Sequence, residues 1–253
     1  MLRGATTGMV MAFRDAGIEA VVFDWGGTLS THATSVRVEE LWRPAAAALE
    51  PHTTHSREEI WACLAATEDD FWQRTATHQR AGTLAEIVAE AHERLGADVP
   101  GEVLDAAARA YLDAWAPHIE HDTEAAATLE TMRAAGLRTA MLSNTHWPRE
   151  YHEHFLERDG LVHLLDERVY TCELDYMKPH PAAFEAALAA VGVSDPSRAI
   201  YVGDRPWDDI FGAQRAGLRT ALRTNPLVPG HDVVPDVEIG GLPELLMHLG
   251  LGG

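Results

Sequence analysis

The sequence predicts an α/β protein: a doubly wound parallel sheet with an inserted α-helical segment. A short run of β-branched and aromatic residues lies at 18–23, and similar runs recur after residue 120, where they alternate with amphipathic helical patterns. Between these regions, residues 31–119 show helical spacing of Ala, Leu, Glu and Arg without a strand pattern. Strands that alternate with helices of this length are typical of a parallel sheet covered on both faces.

Composition limits the kinds of partner that the chain can bind. The 253 residues are 46% hydrophobic and 23% charged, and no stretch approaches the roughly 18 consecutive apolar residues of a membrane-spanning helix. The net charge of −19 disfavours binding to nucleic acid or to an anionic membrane. Any phosphate must therefore be bound locally, which suits a small-molecule substrate.

Cysteine usage and the first residues bear on cellular location. Cys63 and Cys172 are far apart and lack metal-ligand spacing, so we expect two reduced thiols and a cytoplasmic protein. Residues 1–17 have no apolar segment of the length found in signal peptides, and we expect them to form a flexible N-terminal extension.

The first predicted strand, residues 18–23, runs into the glycine-rich loop DWGGT and so delivers Asp24 to the end of a strand. The part that follows is predicted to contain four helices, which would form a separate inserted layer. Their patterns cover residues 39–50, 57–74, 83–96 and 101–115.

Beyond Pro117 the pattern changes to helices and strands in alternation, with glycines that stop several of the helices. In sheets of this kind ligands bind at the carboxyl ends of the strands, so the residues that follow each strand are of most interest. The predicted strands cover residues 137–144, 168–173, 199–204 and 218–224, and the predicted helices cover 123–136, 150–160, 180–192, 208–217 and 241–250.

Polar residues that could share one site follow three of these strands, and a lysine precedes a helix between them. Carboxylate oxygens are ligands for Mg²⁺, and a carboxylate beside that ion can attack phosphorus. Each piece alone is typical of a tight turn, a helix N-cap or a solvated charge. All of these residues together, in this order along the chain, would rarely occur by chance. The residues are Asp24, Ser143, Asn144, Lys178, Asp204, Asp208 and Asp209.

Four short motifs occur in order along the chain: VVFDWGGTL, MLSNT, Lys178-Pro179 and YVGDRPWDD. In these motifs the sequence resembles the haloacid dehalogenase-like superfamily. The resemblance implies a Rossmann-like core formed by residues 18–30 and 120–253, with an α-helical cap formed by residues 31–119. It also implies a Mg²⁺-dependent phosphatase that hydrolyses a small phosphorylated metabolite through an aspartyl-phosphate at Asp24.

The same resemblance implies roles for single residues. Asp24 is the expected nucleophile, Ser143 contacts the phosphate, Lys178 neutralises charge, and Thr28 supports the loop that presents Asp24. The residues expected to contact the phosphate are Trp25, Gly26, Gly27, Thr28, Ser143, Asn144 and Lys178. The residues expected to hold Mg²⁺ or to orient its waters are Asp24, Gly26 through its carbonyl oxygen, Asp204, and Asp208 or Asp209.

Lys178 is the only lysine in a chain that otherwise uses arginine for its positive charges. A compact ammonium group binds differently from a planar guanidinium. Composition therefore supports a specific role for Lys178.

Gly26 departs from the phosphatase pattern of the superfamily. The phosphatases usually carry a second aspartate two residues after the nucleophile, where it acts as general acid and then as general base. Loss of such a group typically costs on the order of 10² to 10⁴ in rate. A water, the substrate, or a histidine such as His32 or His146 would then have to move the proton.

Three alternatives to a phosphatase stay open. A phosphonoacetaldehyde hydrolase has a similar first loop with alanine in place of Gly26, but it needs a cap lysine, and residues 31–119 contain none. A 2-haloacid dehalogenase also lacks the second aspartate and needs no metal, but its relatives lack the acidic fourth motif. The third alternative is a silent phosphate-binding or regulatory protein, which the loss of the general acid favours and the four retained motifs oppose.

The cap is expected to close over the site and to select the substrate. The sequence leaves the identity of the substrate and the oligomeric state open. The cap residues that we consider as contacts, each of a kind that more often lies in a helical core, are Trp42, Trp61, Trp72, His78 and Arg80.

Overall fold

The computed structural model describes residues 12–31 and 36–252, and within them the strands form one six-stranded parallel sheet. The sheet order is β3-β2-β1-β4-β5-β6, so the predicted doubly wound sheet is confirmed. The chain leaves β1 in one direction and returns to its other side at β4, which places the switch point of the topology at the end of β1. The strands are Ala20–Phe23 (β1), Arg138–Ser143 (β2), Glu167–Tyr170 (β3), Ala199–Gly203 (β4), Arg219–Arg223 (β5) and Val237–Ile239 (β6).

The register of the central strands brings their ends to one level. Phe23 pairs with Met141 of β2 on one side and with Val202 of β4 on the other. The residues that follow these three positions therefore emerge together at the carboxyl edge of the sheet. This is the edge at which parallel sheets bind ligands.

Side chains alternate between the two covered faces of the sheet. Phe23 and Val202 belong to an apolar cluster that continues into the inserted helices and includes Trp42. Val22 and Tyr201 point to the other face, where they pack with Phe184. Both faces are buried, which explains why the strands read as continuous hydrophobic runs in the sequence.

Helices cover the sheet and form the insert between β1 and β2. Within the insert, α1 packs against α4 and α2, and α2 packs against α3. Capping boxes start α2 at Ser56 and α3 at Thr83, which fixes where these helices begin. The helices are Arg43–Leu49 (α1), Arg57–His78 (α2), Leu84–Leu95 (α3), Gly101–Trp115 (α4), Ala125–Ala134 (α5), Arg149–Arg158 (α6), Pro181–Ala190 (α7), Gly212–Arg215 (α8) and Leu242–Leu249 (α9).

Two details differ from the sequence prediction. The predicted helix at 208–217 is divided into a π-helical turn, Pro206–Phe211, and the short helix α8. Strand β6 was not predicted, because three residues are too few to show a period of two. The division of the chain into a core of 18–30 and 120–253 and a cap of 31–119 stays a prediction.

The insert joins the sheet through two adjacent chain segments. The Thr31 N–H donates to the Glu120 carbonyl at 2.8 Å, and the Asp122 N–H donates to the Leu29 carbonyl at 2.9 Å. Arg223 of β5 donates to the Thr28 carbonyl and to the Asp122 carboxylate. One guanidinium therefore ties the segment that enters the insert to the segment that leaves it.

Of the predicted extension at 1–17, residues 1–11 lie outside the described residues. Phe13 is buried, and its N–H donates to the carbonyl of His248 in α9 at 3.0 Å. Phe13 therefore anchors this part of the chain to α9. Within the described residues, no helix is both long and apolar enough to cross a lipid bilayer.

Candidate active site

Asp24 follows β1 directly and lies at the centre of the carboxyl edge of the sheet. Its N–H donates to the Val202 carbonyl at 2.8 Å, which holds the backbone in line with β4. A tight turn follows, in which Gly27 has a φ of +83° and the Ser30 hydroxyl donates to the Trp25 carbonyl. A positive φ is accessible to glycine without strain. The loop therefore presents Asp24 in a fixed position.

Lys178 donates to three side chains and is almost fully buried. Its Nζ lies 2.6 Å from Asp24 Oδ1, 2.7 Å from Asp209 Oδ1 and 2.7 Å from the Tyr201 hydroxyl. Burial acts to lower the pKa of Lys178, but the carboxylates of Asp209 and Asp24 outweigh it and hold that pKa above its usual range. The ammonium is therefore charged at neutral pH.

Asn144 positions Lys178 through the backbone. Its Nδ2 donates to the Lys178 carbonyl at 2.9 Å, and its Oδ1 accepts from the Lys178 N–H at 2.8 Å. The side-chain amide thus ties the loop after β2 to the segment before α7. The phosphate contact of Asn144 stays a prediction, and its hydrogen bonds are those of a residue that orients the lysine.

A carboxylate cluster surrounds the same point. One oxygen atom from each of Asp24, Asp204 and Asp209 lies within 4.8 Å of the other two. Asn225 Nδ2 donates to Asp204 Oδ2 at 2.6 Å, and the Arg205 N–H donates to Asp209 Oδ2 at 2.9 Å. Three buried carboxylate oxygens at this spacing form a donor set that fits a hard cation such as Mg²⁺.

Gly203 permits the approach of Asp209. A Cβ atom at position 203 would lie 2.3 Å from the Asp209 carboxyl carbon, a distance that atoms in contact do not reach. The structure thus brings Asp209 into the cluster. Asp208, the other residue predicted to orient waters, lines the adjacent cavity and lies 3.9 Å from an Arg205 nitrogen.

Negative charge exceeds positive charge among the side chains at this point. Burial raises the pKa of Asp24 to about 7, and the neighbouring carboxylates of Asp209 and Asp204 add to the effect, although Lys178 opposes it. Four carboxylates lie near two cationic groups, the Lys178 ammonium and the Arg205 guanidinium; the carboxylates are those of Asp24, Asp204, Asp208 and Asp209. A divalent cation would restore the balance and keep Asp24 ionised.

A cavity of about 480 Å³ opens beside Asp24. Four further residues predicted to contact the phosphate line it together with Lys178: Trp25, Gly26, Ser143 and Asn144. Gly27 and Thr28 instead form the turn beneath the loop, and the Thr28 carbonyl accepts from Arg223. No atom lies within 4 Å of the point where a Cβ of Gly26 would stand.

Trp25 is fixed by a histidine that the sequence did not single out. Trp25 Nε1 donates to His121 Nε2 at 3.0 Å, and His121 Nδ1 lies 2.6 Å from Asp159 Oδ2. His121 follows the insert directly, so this pair connects the loop after β1 to the returning chain. Burial lowers the pKa of His121, which favours the neutral ring that accepts from the indole.

Two histidines, His32 and His146, were considered for proton transfer. His32 lies outside the described residues. His146 lines the cavity, and burial lowers its pKa to about 3. At neutral pH its ring is uncharged, so it carries no additional proton for a leaving group.

The cap residues considered as contacts are distributed over different environments. Trp72 lines the cavity beside Asp24. Trp42 is buried and donates to Glu68, whereas Trp61 donates to the Glu39 carbonyl. The remaining two, His78 and Arg80, line a second cavity of about 400 Å³.

Comparison with known proteins agrees with this geometry. The family model of the haloacid dehalogenase-like hydrolases matches residues 18–217. The chain belongs to this family. The hydrolase is 31% identical over 237 residues to a glyceraldehyde 3-phosphate phosphatase of Methanopyrus kandleri, a match that covers 90% of this chain and 96% of the relative.

Solved structures of two named activities share the fold of this hydrolase. A 2-haloacid dehalogenase from Pseudomonas syringae pv. Tomato DC3000 superposes with a TM-score of 0.67 at 26% identity, covering 92% of this chain and 98% of the other. A HAD phosphatase from Thermococcus onnurineus gives a TM-score of 0.61 at 22% identity, with coverage of 92% and 98%. The fold is thus shared by both activities, and the site residues must distinguish them.

Proposed function

We propose that this hydrolase is a Mg²⁺-dependent phosphatase that acts on a small phosphorylated metabolite through an aspartyl-phosphate at Asp24. The observation that carries the proposal is the buried cluster in which Lys178 bridges Asp24 and Asp209 beside Asp204. A nucleophile, a fixed ammonium and a hard-cation donor set meet at the mouth of one cavity. The relative from Methanopyrus kandleri, whose name describes a phosphatase, supports the same assignment.

Each residue of the site has its own role in the proposed reaction. Asp24 attacks phosphorus, so that a bond from its carboxylate oxygen to phosphorus forms while the bond from phosphorus to the leaving oxygen breaks. Lys178 and the Ser143 hydroxyl stabilise the charge on the phosphoryl oxygens. The leaving oxygen takes a proton from water, because Gly26 offers none. A second water then attacks phosphorus and the bond from phosphorus to the Asp24 oxygen breaks. The hydroxide left from the first step takes the proton of the attacking water, so that phosphate is released and the Asp24 carboxylate is regenerated.

Asp24, Asp204 and Asp209 would hold the cation. When bound, Mg²⁺ supplies Lewis-acid polarisation of the phosphate. We also infer a substrate that is neither a nucleic acid nor a membrane component, since the net charge of −19 opposes binding to extended anionic surfaces. A cytoplasmic location is inferred from the two cysteines, which form no disulfide.

Phosphate release tests the proposal. Esters would be incubated with wild type and with Asp24→Asn, in Mg²⁺ and in chelator, beside a chloride-release assay on 2-chloropropionate. We expect phosphate release that requires Mg²⁺ and is lost in the variant. Chloride release without metal would indicate a dehalogenase instead, and a folded protein that releases neither product would indicate a silent phosphate-binding protein.

A further inference from the structure

The loop between α2 and α3, residues 79–83, pairs with the segment that precedes Lys178. The Ala81 N–H donates to the Asp175 carbonyl at 3.1 Å. The Met177 N–H donates to the Gln79 carbonyl at 3.0 Å. The insert therefore binds the backbone of the residue next to Lys178.

The side chains between these two bonds contact each other. Arg80 and Tyr176 form an antiparallel bridge, and in a pair flanked by hydrogen bonds of this kind the side chains lie close together. The Arg80 guanidinium carbon lies 5.1 Å from the centre of the Tyr176 ring, which is within the range of a cation–π interaction. Among the described residues, no carboxylate forms an ion pair with Arg80. We call this ring contact and its two flanking hydrogen bonds the latch.

Tyr176 also contacts the residue that begins the helix after Lys178. Its ring stacks on that of His180, with the centres 3.9 Å apart and the planes 11° from parallel. His180 Nδ1 accepts from the Ala182 N–H at 3.2 Å and so caps α7. Lys178 is thus held between the latch on one side and the start of α7 on the other.

The loop adopts a backbone conformation that costs free energy. Gln79, which ends α2, has a φ of +54°, and among the described residues it is the non-glycine residue with a positive φ. Such conformations persist where the surrounding contacts fix them. Here the Gln79 N–H donates to the Thr75 carbonyl at 2.6 Å, and the Gln79 carbonyl accepts from Met177. The loop is therefore fixed by its contacts on both sides.

The end of the loop touches a second segment of the site. The Leu84 N–H, at the first residue of α3, donates to the His146 carbonyl at 2.7 Å. His146 follows Ser143 and Asn144 in the loop after β2, and Asn144 binds the backbone of Lys178. The insert thus contacts both of the segments that bring polar groups to the phosphate side of the cavity.

We propose that the latch positions Lys178, and that Arg80 and Tyr176 are positioning residues of the site. The insert then does more than cover the cavity, because it sets where the ammonium group meets Asp24 and Asp209. The effect of the latch on the reaction rests on the proposed phosphatase activity, whereas its contacts do not depend on that activity.

Substrate has a route to Asp24 that leaves the latch closed. Neither Arg80 nor Tyr176 lines the cavity beside Asp24. The mouth of this cavity is marked by those described lining residues that are exposed, Val38, Ala76 and Arg205. We therefore expect the latch to stay closed throughout turnover.

Substitutions of Tyr176 test the positioning. Tyr176→Ala removes the ring that lies between Arg80 and His180, whereas Tyr176→Phe keeps it. We expect kcat for phosphate release to fall about tenfold or more in the Ala variant with KM nearly unchanged, because a displaced ammonium stabilises the transition state less well. The Phe variant should retain the kcat of the wild type. Equal kcat in both variants, or a change in KM alone, would overturn the proposal.

Arg74→Ala is the matched control for Arg80→Ala. Arg74 lies on α2 and pairs with Glu90 of α3, so its contact is confined to the insert. It should leave kcat unchanged, and Arg80→Lys, which keeps a cation over the ring, should retain more activity than Arg80→Ala. A loss in Arg74→Ala equal to that in Arg80→Ala would contradict a specific role for the latch.

A disulfide across the bridge tests whether the latch stays closed. The Cα atoms of such a pair lie about 4.5 Å apart, which is within the range that a disulfide spans. Arg80→Cys and Tyr176→Cys would be combined in a protein that carries Cys63→Ala and Cys172→Ala. We expect the oxidised form to have at least threefold higher kcat than the reduced form. An inactive oxidised form, or equal kcat in both forms, would overturn the proposal.

Amide hydrogen exchange separates the latch from the chemistry. In Arg80→Ala, mass spectrometry of peptides covering residues 79–84 and 173–178 should show about two- to fivefold faster exchange, the loss of one exposed cation–π contact. If no ester is hydrolysed but exchange responds in this way, the phosphatase assignment fails and the latch stands. If esters are hydrolysed but exchange is unchanged, the latch fails and the phosphatase stands.

Discussion

Gly26 occupies the position at which the phosphatases of the family usually carry a general acid, and the structure leaves that position open. A Cβ there meets no atom within 4 Å. We therefore expect Gly26→Asp to fold normally and to raise kcat for esters of poor leaving groups, up to the order of 10² that a general acid contributes. Steady-state kinetics on an alkyl phosphate measures the effect.

Gly26→Asn is the control for this change, because it has the shape of aspartate and cannot transfer the proton. An equal rate for the Asn and Asp variants would mean that the wild type already moves the proton efficiently by another route.

Lys178 separates two buried carboxylates, and its removal leaves both without a counter-charge. We expect Lys178→Met to abolish phosphate release and to lower the free energy of unfolding by about 3–5 kcal/mol, as when one partner of a buried ion pair is removed. Urea unfolding in chelator measures the loss. Arg205→Met, which changes a half-exposed cation of the same site, should cost much less, and a similar loss for both variants would contradict the bridging role.

The residues of the site could be predicted to different degrees. That Asp24, Ser143 and Asp204 lie at one edge could be predicted, because each follows or ends a buried strand and parallel strands end at one edge. Tyr201 was missed, because in the strand AIYVGD it reads as an ordinary apolar residue, although its hydroxyl reaches Lys178. Asn225 was missed too, because nothing in the sequence indicates that it meets Asp204.

At the scale of elements, residues Pro206–Phe211 form a π-helical turn, whereas the sequence pattern predicted an α-helix with 3.6 residues per turn. The π-helical turn carries Asp209 back against β4, where only glycine fits at position 203. We expect Gly203→Ala to displace the carboxylate, to weaken Mg²⁺ binding at least tenfold and to destabilise the fold. Calorimetric titration with Mg²⁺ measures the first effect.

Gly101→Ala serves as the comparison for this glycine, because a Cβ at position 101 meets no atom within 4 Å. Unchanged Mg²⁺ affinity in Gly203→Ala would remove Asp209 from the cation site.

Helix α6 contains a buried histidine, His152, whose pKa burial lowers to about 3. The unfolded chain takes up a proton near pH 6.5 while the folded chain does not, so stability is full above that pH and falls as the pH is lowered toward 3. Each unit of such a shift corresponds to about 1.4 kcal/mol. We expect the urea midpoint to fall between pH 7 and pH 5, and to fall less in His152→Gln.

His154→Gln is the control for the pH effect, since His154 lies on the same helix and is exposed. It should retain the full pH dependence of the wild type. Identical slopes in both variants would show that other groups cause the acid instability.

At the scale of the whole molecule, Arg223 holds together the two chain segments that join the insert to the sheet, a contact that we call the joint. We expect Arg223→Ala to lower the free energy of unfolding by about 2–3 kcal/mol, because the largely buried Asp122 carboxylate and the Thr28 carbonyl lose a charged donor. KM should rise as well, since the insert forms one wall of the cavity. Urea unfolding and steady-state kinetics measure the two effects.

Arg219→Ala is the matched control on the same strand, where the guanidinium binds Asp236 in solvent. It should change neither quantity measurably. An equal effect of both substitutions would contradict a special role for the joint.

The sequence did not predict which aromatic residues line the cavity. Helical spacing predicted the inserted helices correctly, and Trp72 was among the cap residues considered as contacts, but Tyr111 and Trp115 were predicted only as residues of helices. Whether an aromatic side chain lies in a core or lines a cavity depends on how two layers of structure meet. Trp147 lies in the loop after β2, and its place beside Trp115 follows from that packing rather than from any local pattern.

The single lysine of this chain has a consequence for chemical labelling. Lys178 Nζ donates to three buried groups and its side chain is 2% exposed. A reagent that acylates primary amines can therefore reach this nitrogen only after the surrounding structure opens. The extent of modification at that one position, read by mass spectrometry against time, would report the opening of the site without any mutation or attached probe.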